Sequence, residues 1–344
     1  MYYTKLRRSL KIGNSQIKFL ILKGENDIIL KILVTEMKIV FLDASTLGST
    51  PMEEISSLGE FVSYPVSTPE QARQRVSDCE VLIINKVKVD AALMDCAPKL
   101  RLICEAATGV NNIDLEAAKE RGIKVRNVAG YSTDAVVQAS FTHLLSILGS
   151  AAYFDRFVKD GSYSRCGIFT DVSRPFPEMA GKTMGIIGMG NIGSRVAKVA
   201  QAFGMKVVYY STSGTSHCKE YPSLSLEELL AESDVVSIHA PLNERTLNLI
   251  GKAELGRMKP SAVLLNLGRG GIVNEAALAK AVDEGIIAGA GLDVYTVEPL
   301  PEDNPLMRVS HPERFSFSPH SAWASREALL RLVAGVAKNI RENA

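Results

Sequence analysis

The sequence predicts an α/β protein of two doubly wound units, each a parallel sheet covered by helices on both faces, with a cleft between them. Two observations carry that expectation. Short apolar runs alternate with amphipathic helical stretches from Met37 onward, and residues 183–213 set a glycine-rich turn between a short apolar run and a helical pattern. The chain has 344 residues, enough for two domains with full cores.

That turn organises the rest. The run 184–187 meets Gly188-Met189-Gly190-Asn191-Ile192-Gly193, an amphipathic stretch with Val196, Val199, Ala200 and Phe203 follows, and after Gly204 a second β-rich run covers 207–210. In a strand, turn, helix, strand sequence, Gly188 allows the turn, Gly190 lets the backbone approach a pyrophosphate, and Gly193 packs helix against strand. The N–H groups and positive dipole end of a helix starting near Asn191 would face the phosphates. The alternative is a glycine turn that serves packing alone.

Composition excludes several classes. With 46% hydrophobic and 22% charged residues and a net charge of +1, nothing points to nucleic acid or an anionic membrane as partner. The five cysteines (Cys79, Cys96, Cys104, Cys166, Cys218) are scattered without a CxxC pair, as expected of buried, reduced thiols in a cytoplasmic protein; no disulfide frame or metal site is expected. No apolar run approaches the roughly 20 residues of a membrane span.

Residues 1–36 differ from the remainder. They carry Lys5, Arg7, Arg8, Lys11, Lys18, Lys23 and Lys31 against Glu25, Asp27 and Glu36, and their apolar run 19–22 is cut by Lys23, too short for a secretory core. They are expected to be an N-terminal extension, with the folded domain starting at Met37. From there strands are expected at 38–42, 81–85, 100–105 and 124–127, and helices at 51–58, 90–96, 114–121 and 133–148. An irregular segment, 151–177, leads to the glycine turn. Beyond residue 210 the alternation resumes: helix 225–231, strand 235–239, a segment 253–258, strand 262–267, helix 274–284, strand 288–294, a short strand 315–318 and a last helix 325–340. Ligands of such sheets bind beyond the carboxyl ends of the strands.

Three polar residues follow strands of the second unit: Arg269 in Asn266-Leu267-Gly268-Arg269-Gly270-Gly271, Glu298 just past Asp293, and His320 in Pro319-His320-Ser321-Ala322-Trp323. Alone, each has an ordinary explanation: a solvated charge, a loop carboxylate, a turn histidine. Together with the glycine turn, these segments resemble the D-isomer-specific 2-hydroxyacid dehydrogenase family. Further likeness lies in Ser233-Asp234-Val235-Val236-Ser237-Ile238-His239-Ala240-Pro241-Leu242 with Thr246, in Asn85-Lys86, and in Ala107-Thr108-Gly109-Val110-Asn111-Asn112-Ile113-Asp114. The resemblance runs from Met37 to the last helix and is greatest to the glycerate dehydrogenase/hydroxypyruvate reductase branch.

The resemblance implies two Rossmann-like domains: a flavodoxin-like substrate domain (37–135 and 321–344) and an inserted NAD(P)-binding domain (136–320). It implies catalytic roles for Arg269, Glu298 and His320. Reducing a 2-keto acid builds negative charge on the carbonyl oxygen, and histidine, with a reference pKa of about 6.5, can give and take the needed proton. A neighbouring carboxylate orients the ring and favours imidazolium, and arginine's planar fork suits a carboxylate and a developing oxyanion. Cofactor contacts are implied at Gly188, Gly190, Asn191, Ile192, Gly193, Ser211, Thr212, Ala240, Pro241, Thr246, Leu267, Gly268 and Asp293, the last facing the nicotinamide amide. Substrate contacts are implied at Asn85, Lys86, Thr108 and Gly109, with backbone N–H groups near Lys86 and 108–109, and at Arg269 and His320. A homodimer through the nucleotide domain, with 151–177 in the contact, is also implied.

One position departs from the family pattern. An acidic residue commonly ends the second strand about 20 positions after the first glycine and holds the ribose hydroxyls; here Ser211, Thr212, Ser213 and Gly214 stand there. No carboxylate repels a 2′-phosphate, yet the loop has no arginine and its nearest cation along the chain is Lys219. NAD is therefore ahead and NADP stays open. His143 reads as a packed or interdomain residue, His239 as a strand-end residue near the cofactor, and His217-Cys218 lacks the second pair that zinc needs. Trp323 lines the substrate pocket or packs between domains.

The expected function is reversible, nicotinamide-dependent reduction of a small 2-keto acid such as hydroxypyruvate or glyoxylate to the D-2-hydroxy acid. The alternative is a dinucleotide-sensing interaction protein on the same scaffold.

Overall fold

The computed structural model describes residues 8–12, 15–23, 28–35, 37–215 and 217–344, with side chains described from Met37 onward. Strands β1 (Arg8–Ile12), β2 (Ser15–Lys23) and β3 (Ile28–Thr35) form an antiparallel sheet of their own with β2 in the middle. The extension expected over 1–36 is thus strand where it is described; the rest of it lies outside the described residues. Two compact units divide the chain: Met1–Tyr131 with Arg326–Ala344, and Ser132–Ser325.

In the first unit, β4 (Lys38–Phe41), β5 (Glu60–Ser63), β6 (Val81–Ile84), β7 (Leu102–Glu105) and β8 (Lys124–Arg126) form a parallel sheet in the order β5-β4-β6-β7-β8. This is the flavodoxin-like order, with its switch point between β4 and β6. β6 and β7 are buried along their whole length, which is why both read as unbroken apolar runs. Helices Ala91–Asp95 and Leu115–Glu120 start on the carboxylates of Asp90 and Asp114, which accept from the N–H groups of Leu93 and Ala117. Strand β5 and helix Pro69–Arg75 were absent from the expected elements. The first is a partly exposed edge strand without a buried residue, and the second buries only Ala72, so neither imprints an apolar period on the sequence. The last helix, Arg326–Asn343, belongs to this unit: it buries Leu332, Val336 and Ile340, Arg331 donates to the carbonyl of Tyr131, and Asn339 donates to that of Asn127.

In the second unit, β9 (Thr183–Ile187), β10 (Lys206–Tyr210), β11 (Val235–Ile238), β12 (Val263–Asn266), β13 (Gly289–Leu292) and β14 (Phe315–Phe317) form a parallel sheet in the order β10-β9-β11-β12-β13-β14. The strand order reverses between β9 and β11, which puts the glycine turn after β9 at a Rossmann switch point. One apolar core holds Ile238, Leu264, Leu278 and Leu292; another holds Phe141, Ile186, Val196 and Leu265 from the helix Thr133–Leu148 and its neighbours. The segment 151–177, expected to be irregular, contains helices Ala151–Lys159 and Ser162–Arg165. Neither buries a residue, although Phe154, Phe157 and Val158 stand at helical spacing in the first.

Among the described residues no single helix is long and apolar enough to cross a membrane. All five cysteines are free; Cys79 and Cys104 are buried, and burial pushes both thiols up to about 12, whereas Cys96, Cys166 and Cys218 are only partly covered, contrary to expectation.

Candidate active site

The glycine turn has the geometry a pyrophosphate needs. Gly188 sits at φ +94°, and a Cβ there would lie 2.9 Å from the Ala240 nitrogen and the His239 oxygen. A Cβ on Gly193 would come 2.2 Å from the Gly188 carbonyl oxygen, whereas one on exposed Gly190 would meet nothing within 4 Å. The helix Asn191–Ala202 opens at Gly190 without a side-chain cap, so the positive end of its dipole faces outward over open backbone. Asn191 is exposed at that end, and Ile192 tucks partly into the core beneath it. These residues fit a dinucleotide: the turn is cradled and the space beside Gly190 is free.

The neighbouring strand ends complete the rim. Buried Thr246 donates to the Pro241 carbonyl at 2.7 Å and accepts from the Asn243 N–H at 2.9 Å, closing the loop that follows Ala240. After β12, Asn266 accepts from the Gly268 N–H and donates to the Arg269 carbonyl, fixing the turn from buried Leu267 to Arg269, while an Arg269 guanidinium N–H donates to the Gly268 carbonyl at 2.8 Å. The next residue, Gly270, lies so close to Tyr295 that a Cβ would be 1.8 Å from its carbonyl oxygen. The turn carrying Arg269 is thereby seated on the segment that leads to Glu298.

Glu298 is held by its own loop, one carboxylate oxygen accepting from the Tyr295 N–H at 3.0 Å. Its other oxygen lies 2.6 Å from Nδ1 of His320, and both side chains remain partly open, at 21% for His320 and 31% for Glu298. His320 is the residue of this turn in the left-handed region, at φ +52°. What holds it there is Asp293, only 2% exposed, whose carboxylate accepts from the Ser321 and Ala322 N–H groups and from the Ser318 hydroxyl. The Tyr295 hydroxyl donates to the Ser318 carbonyl at 3.0 Å, and burial beside the Asp293 and Glu298 carboxylates pushes it up to about 12.

His143, on the helix Thr133–Leu148, reaches the same turn. Its Nδ1 lies 2.8 Å from the Ser316 hydroxyl and its Nε2 2.9 Å from that of Ser318. A carboxylate can only accept, so the Ser318 proton goes to Asp293 and Ser318 accepts from Nε2–H of His143. Burial holds His143 below the usual imidazole range. Sequence reasoning missed this relay because its members lie 173 and 175 residues apart. His239 lies partly buried one residue past β11, with Nε2 2.8 Å from the Ser237 hydroxyl, and desolvation lowers it to about 4. Trp323 packs partly buried on the core around Phe141 and Val196.

At the end of β10, the Ser211 and Ser213 hydroxyls lie 3.1 Å apart and both donate to the Thr215 carbonyl. Thr212 is partly exposed beside them. The cation that the loop lacks in sequence comes from elsewhere: Arg245, 32 residues on, donates to the Ser213 carbonyl at 2.9 Å.

The first unit carries the remaining expected residues. Buried Asn85 follows β6 directly; its N–H and those of Lys86 and Val87 donate to the Asp43 carboxylate, and its amide donates to the Ala106 carbonyl. The N–H of Lys86, expected near a substrate carboxylate, thus serves Asp43, a residue not singled out from the sequence, which lies two positions past β4. Asn112 ties this loop to the next by donating to the Val87 carbonyl and to Glu105, whose burial pushes its carboxyl up to about 9. Thr108 is exposed, its hydroxyl 3.4 Å from the Val128 carbonyl, and Gly109 beside it is partly open.

Residues 141–322 match the family model described as D-isomer specific 2-hydroxyacid dehydrogenase, NAD binding domain. The chain belongs to the D-isomer-specific 2-hydroxyacid dehydrogenase family. It is 36% identical over 307 residues to a glycerate dehydrogenase of Methylorubrum extorquens, covering 88% of this chain and 95% of that one. To a glyoxylate reductase of Korarchaeum cryptofilum it is 39% identical over 271 residues, covering 78% and 80%. Among solved structures, an NADPH-dependent glyoxylate/hydroxypyruvate reductase of Sinorhizobium meliloti, in complex with NADP and malonate, superposes with a TM-score of 0.74 at 27% identity, covering 88% of this chain and 92% of that one. The family is one of NAD(P)-dependent oxidoreductases acting on 2-hydroxy acids, and the two parallel sheets of this chain have its two-domain Rossmann architecture.

Proposed function

We propose that the protein is an NAD(P)-dependent D-2-hydroxyacid dehydrogenase that interconverts a small 2-keto acid, hydroxypyruvate or glyoxylate first, with its D-2-hydroxy acid. The observation that carries this is the pair Glu298–His320, 2.6 Å apart in the same unit as the glycine turn. When bound, the nicotinamide supplies or takes up the hydride.

The rest of the chemistry belongs to side chains. Glu298 faces Nδ1 of His320, so Nε2 is the nitrogen that gives its proton to the carbonyl oxygen as that oxygen gathers charge, and takes it back in the reverse direction. Glu298 fixes the ring and stabilises the imidazolium. Arg269 holds the substrate carboxylate and the developing oxyanion. Asp293 holds the His320 turn and faces the nicotinamide amide. Lys86, Thr108 and Gly109 complete the substrate side, with the Asn85 loop held by Asp43.

Absorbance at the nicotinamide band tests this, with hydroxypyruvate, glyoxylate and pyruvate each offered with NADH and with NADPH. Oxidation with at least one pair is expected. Cofactor binding without oxidation by any keto acid would move the assignment to a dinucleotide sensor.

The protein is further proposed to be a cytoplasmic homodimer. Apolar side chains of 151–177 stand in solvent, with Phe169 89% and Phe176 66% exposed, which is the composition of a partner-facing surface. Light scattering is expected to give twice the chain mass, and Phe169→Asp to return a monomer. The unit 37–135 with 321–344 is proposed as the substrate domain, 136–320 as the nucleotide domain, and 1–36 as dispensable. Deleting 1–36 is expected to leave turnover intact.

A further inference from the structure

The end of β10 carries an inference beyond the reaction class, and it rests on the dinucleotide site proposed above. A carboxylate there accepts hydrogen bonds from the ribose hydroxyls of NADH and repels a 2′-phosphate. This chain has Ser211 in that place, and the two hydroxyls that approach it, Ser211 and Ser213, converge on one carbonyl, that of Thr215. Each hydroxyl has one proton and here gives it to that carbonyl; turned towards a ligand the same proton would meet a phosphate oxygen, and no carboxylate stands at 211–214 to repel one.

The fold then adds positive charge. Arg245 comes from the loop after β11, which Thr246 closes through Pro241 and Asn243 and which the Arg245 N–H itself braces by donating to the Asn243 side chain at 2.9 Å. Its guanidinium lies against the 213–214 turn: Nη1 is 2.9 Å from the Ser213 carbonyl and 3.6 Å from where a Cβ on Gly214 would sit. That partner is a neutral carbonyl, and among the described residues no carboxylate is paired with the guanidinium. A guanidinium has five N–H donors in a planar fork, and one bond to Ser213 leaves others to face a phosphate. Arg245 is exposed, as a residue that meets an incoming ligand must be.

We propose that Arg245 is the specificity residue for NADP(H): its guanidinium, with the hydroxyls of Ser211, Thr212 and Ser213, recognises the 2′-phosphate of the adenosine ribose, and the enzyme prefers NADPH to NADH. From sequence alone NAD was ahead because the loop has no arginine of its own; the tertiary fold supplies one.

Calorimetric titration of the full chain with NADPH, NADH, adenosine 2′,5′-bisphosphate and AMP tests this without any keto acid. A charge-assisted contact to phosphate corresponds to about a tenfold preference or more, so NADPH should bind at least about tenfold tighter than NADH, and the bisphosphate tighter than AMP by a similar factor. The preference should shrink as salt rises. Arg245→Gln should weaken NADPH about tenfold more than NADH, and Ser211→Asp, which restores a carboxylate, should reverse the order. Equal or tighter NADH binding by the unaltered protein, or an Arg245→Gln variant that weakens both cofactors alike, would overturn the assignment. If neither cofactor binds, the dinucleotide site falls and this assignment with it. If NADPH is preferred but no keto acid oxidises it, the reaction class fails while Arg245 stands.

Discussion

The carboxylate of Asp293 accepts the backbone N–H of Ser321 at 2.8 Å, one residue beyond the left-handed His320. A buried anion thereby fixes the direction in which the histidine leaves the chain. Asp293→Asn puts an amide N–H2 where the carboxylate faces the Ser321 and Ala322 backbone N–H groups, which can only donate, leaving a buried donor unpaired at about 1–3 kcal/mol. The expected outcome is a lower melting temperature together with a fall in kcat. His143→Leu, which removes the ring that donates to Ser318, should do the same more weakly; unchanged kcat in both variants would show that the turn needs no such support.

His320→Ala should leave cofactor affinity nearly unaltered and lower the chemical step on the order of 10²-fold or more. Glu298→Gln keeps the size of the side chain but not its charge, and should lower kcat more than it raises KM. Arg269→Lys should be damaging too, because a point charge does not reproduce a planar fork. Steady-state and single-turnover measurements on the three variants separate binding from chemistry.

Much of this site is legible in the chain itself. The turn from Gly188 to Gly193, the helices starting near residues 90, 114, 225 and 274, and the strand-end positions of Arg269, Glu298 and His320 are local features, each written within a few residues. What escapes is pairing between distant segments. The relay from His143 to Asp293, the cradle of Asp43 under the Asn85 loop, and the approach of Arg245 to Ser213 join residues on separate elements, and no period or spacing marks them. The helix Ala151–Lys159 was missed although Phe154, Phe157 and Val158 stand at helical spacing; in this chain that stripe buries no residue.

Two desolvated groups should shape stability against pH with opposite signs. Glu105 is held protonated, its carboxyl pushed up to about 9 chiefly by burial, so its contribution is full below the unfolded value near 4.5 and is lost as pH rises towards 9. His239 is held neutral, lowered to about 4 by burial, so its contribution is full above the unfolded value of about 6.5 and is lost as pH falls towards 4. Melting curves should therefore show Glu105→Gln stabilising the protein at pH 8 with little effect at pH 5. No difference between the two pH values would mean that Glu105 is ionised in the folded state.

Gly193→Ala tests the close approach beneath the turn. Its methyl would need the space of the Gly188 carbonyl, 2.2 Å away, so helix or turn must shift. Loss of dinucleotide affinity by about tenfold or more is expected, read by titration, and unaltered affinity would show that the turn tolerates the displacement.

The last helix, Arg326–Asn343, completes the unit that begins at the other end of the chain, while the second unit, Ser132–Ser325, is one unbroken stretch. On the ribosome this inverts the usual order. Domains fold as units as they emerge, at about 5–20 residues per second, and the nucleotide-binding unit has its whole sheet available before the helix that buries Leu332 and Val336 in the first unit has been made. The half synthesised first therefore keeps a patch of its core uncovered until the whole of the other half has been synthesised.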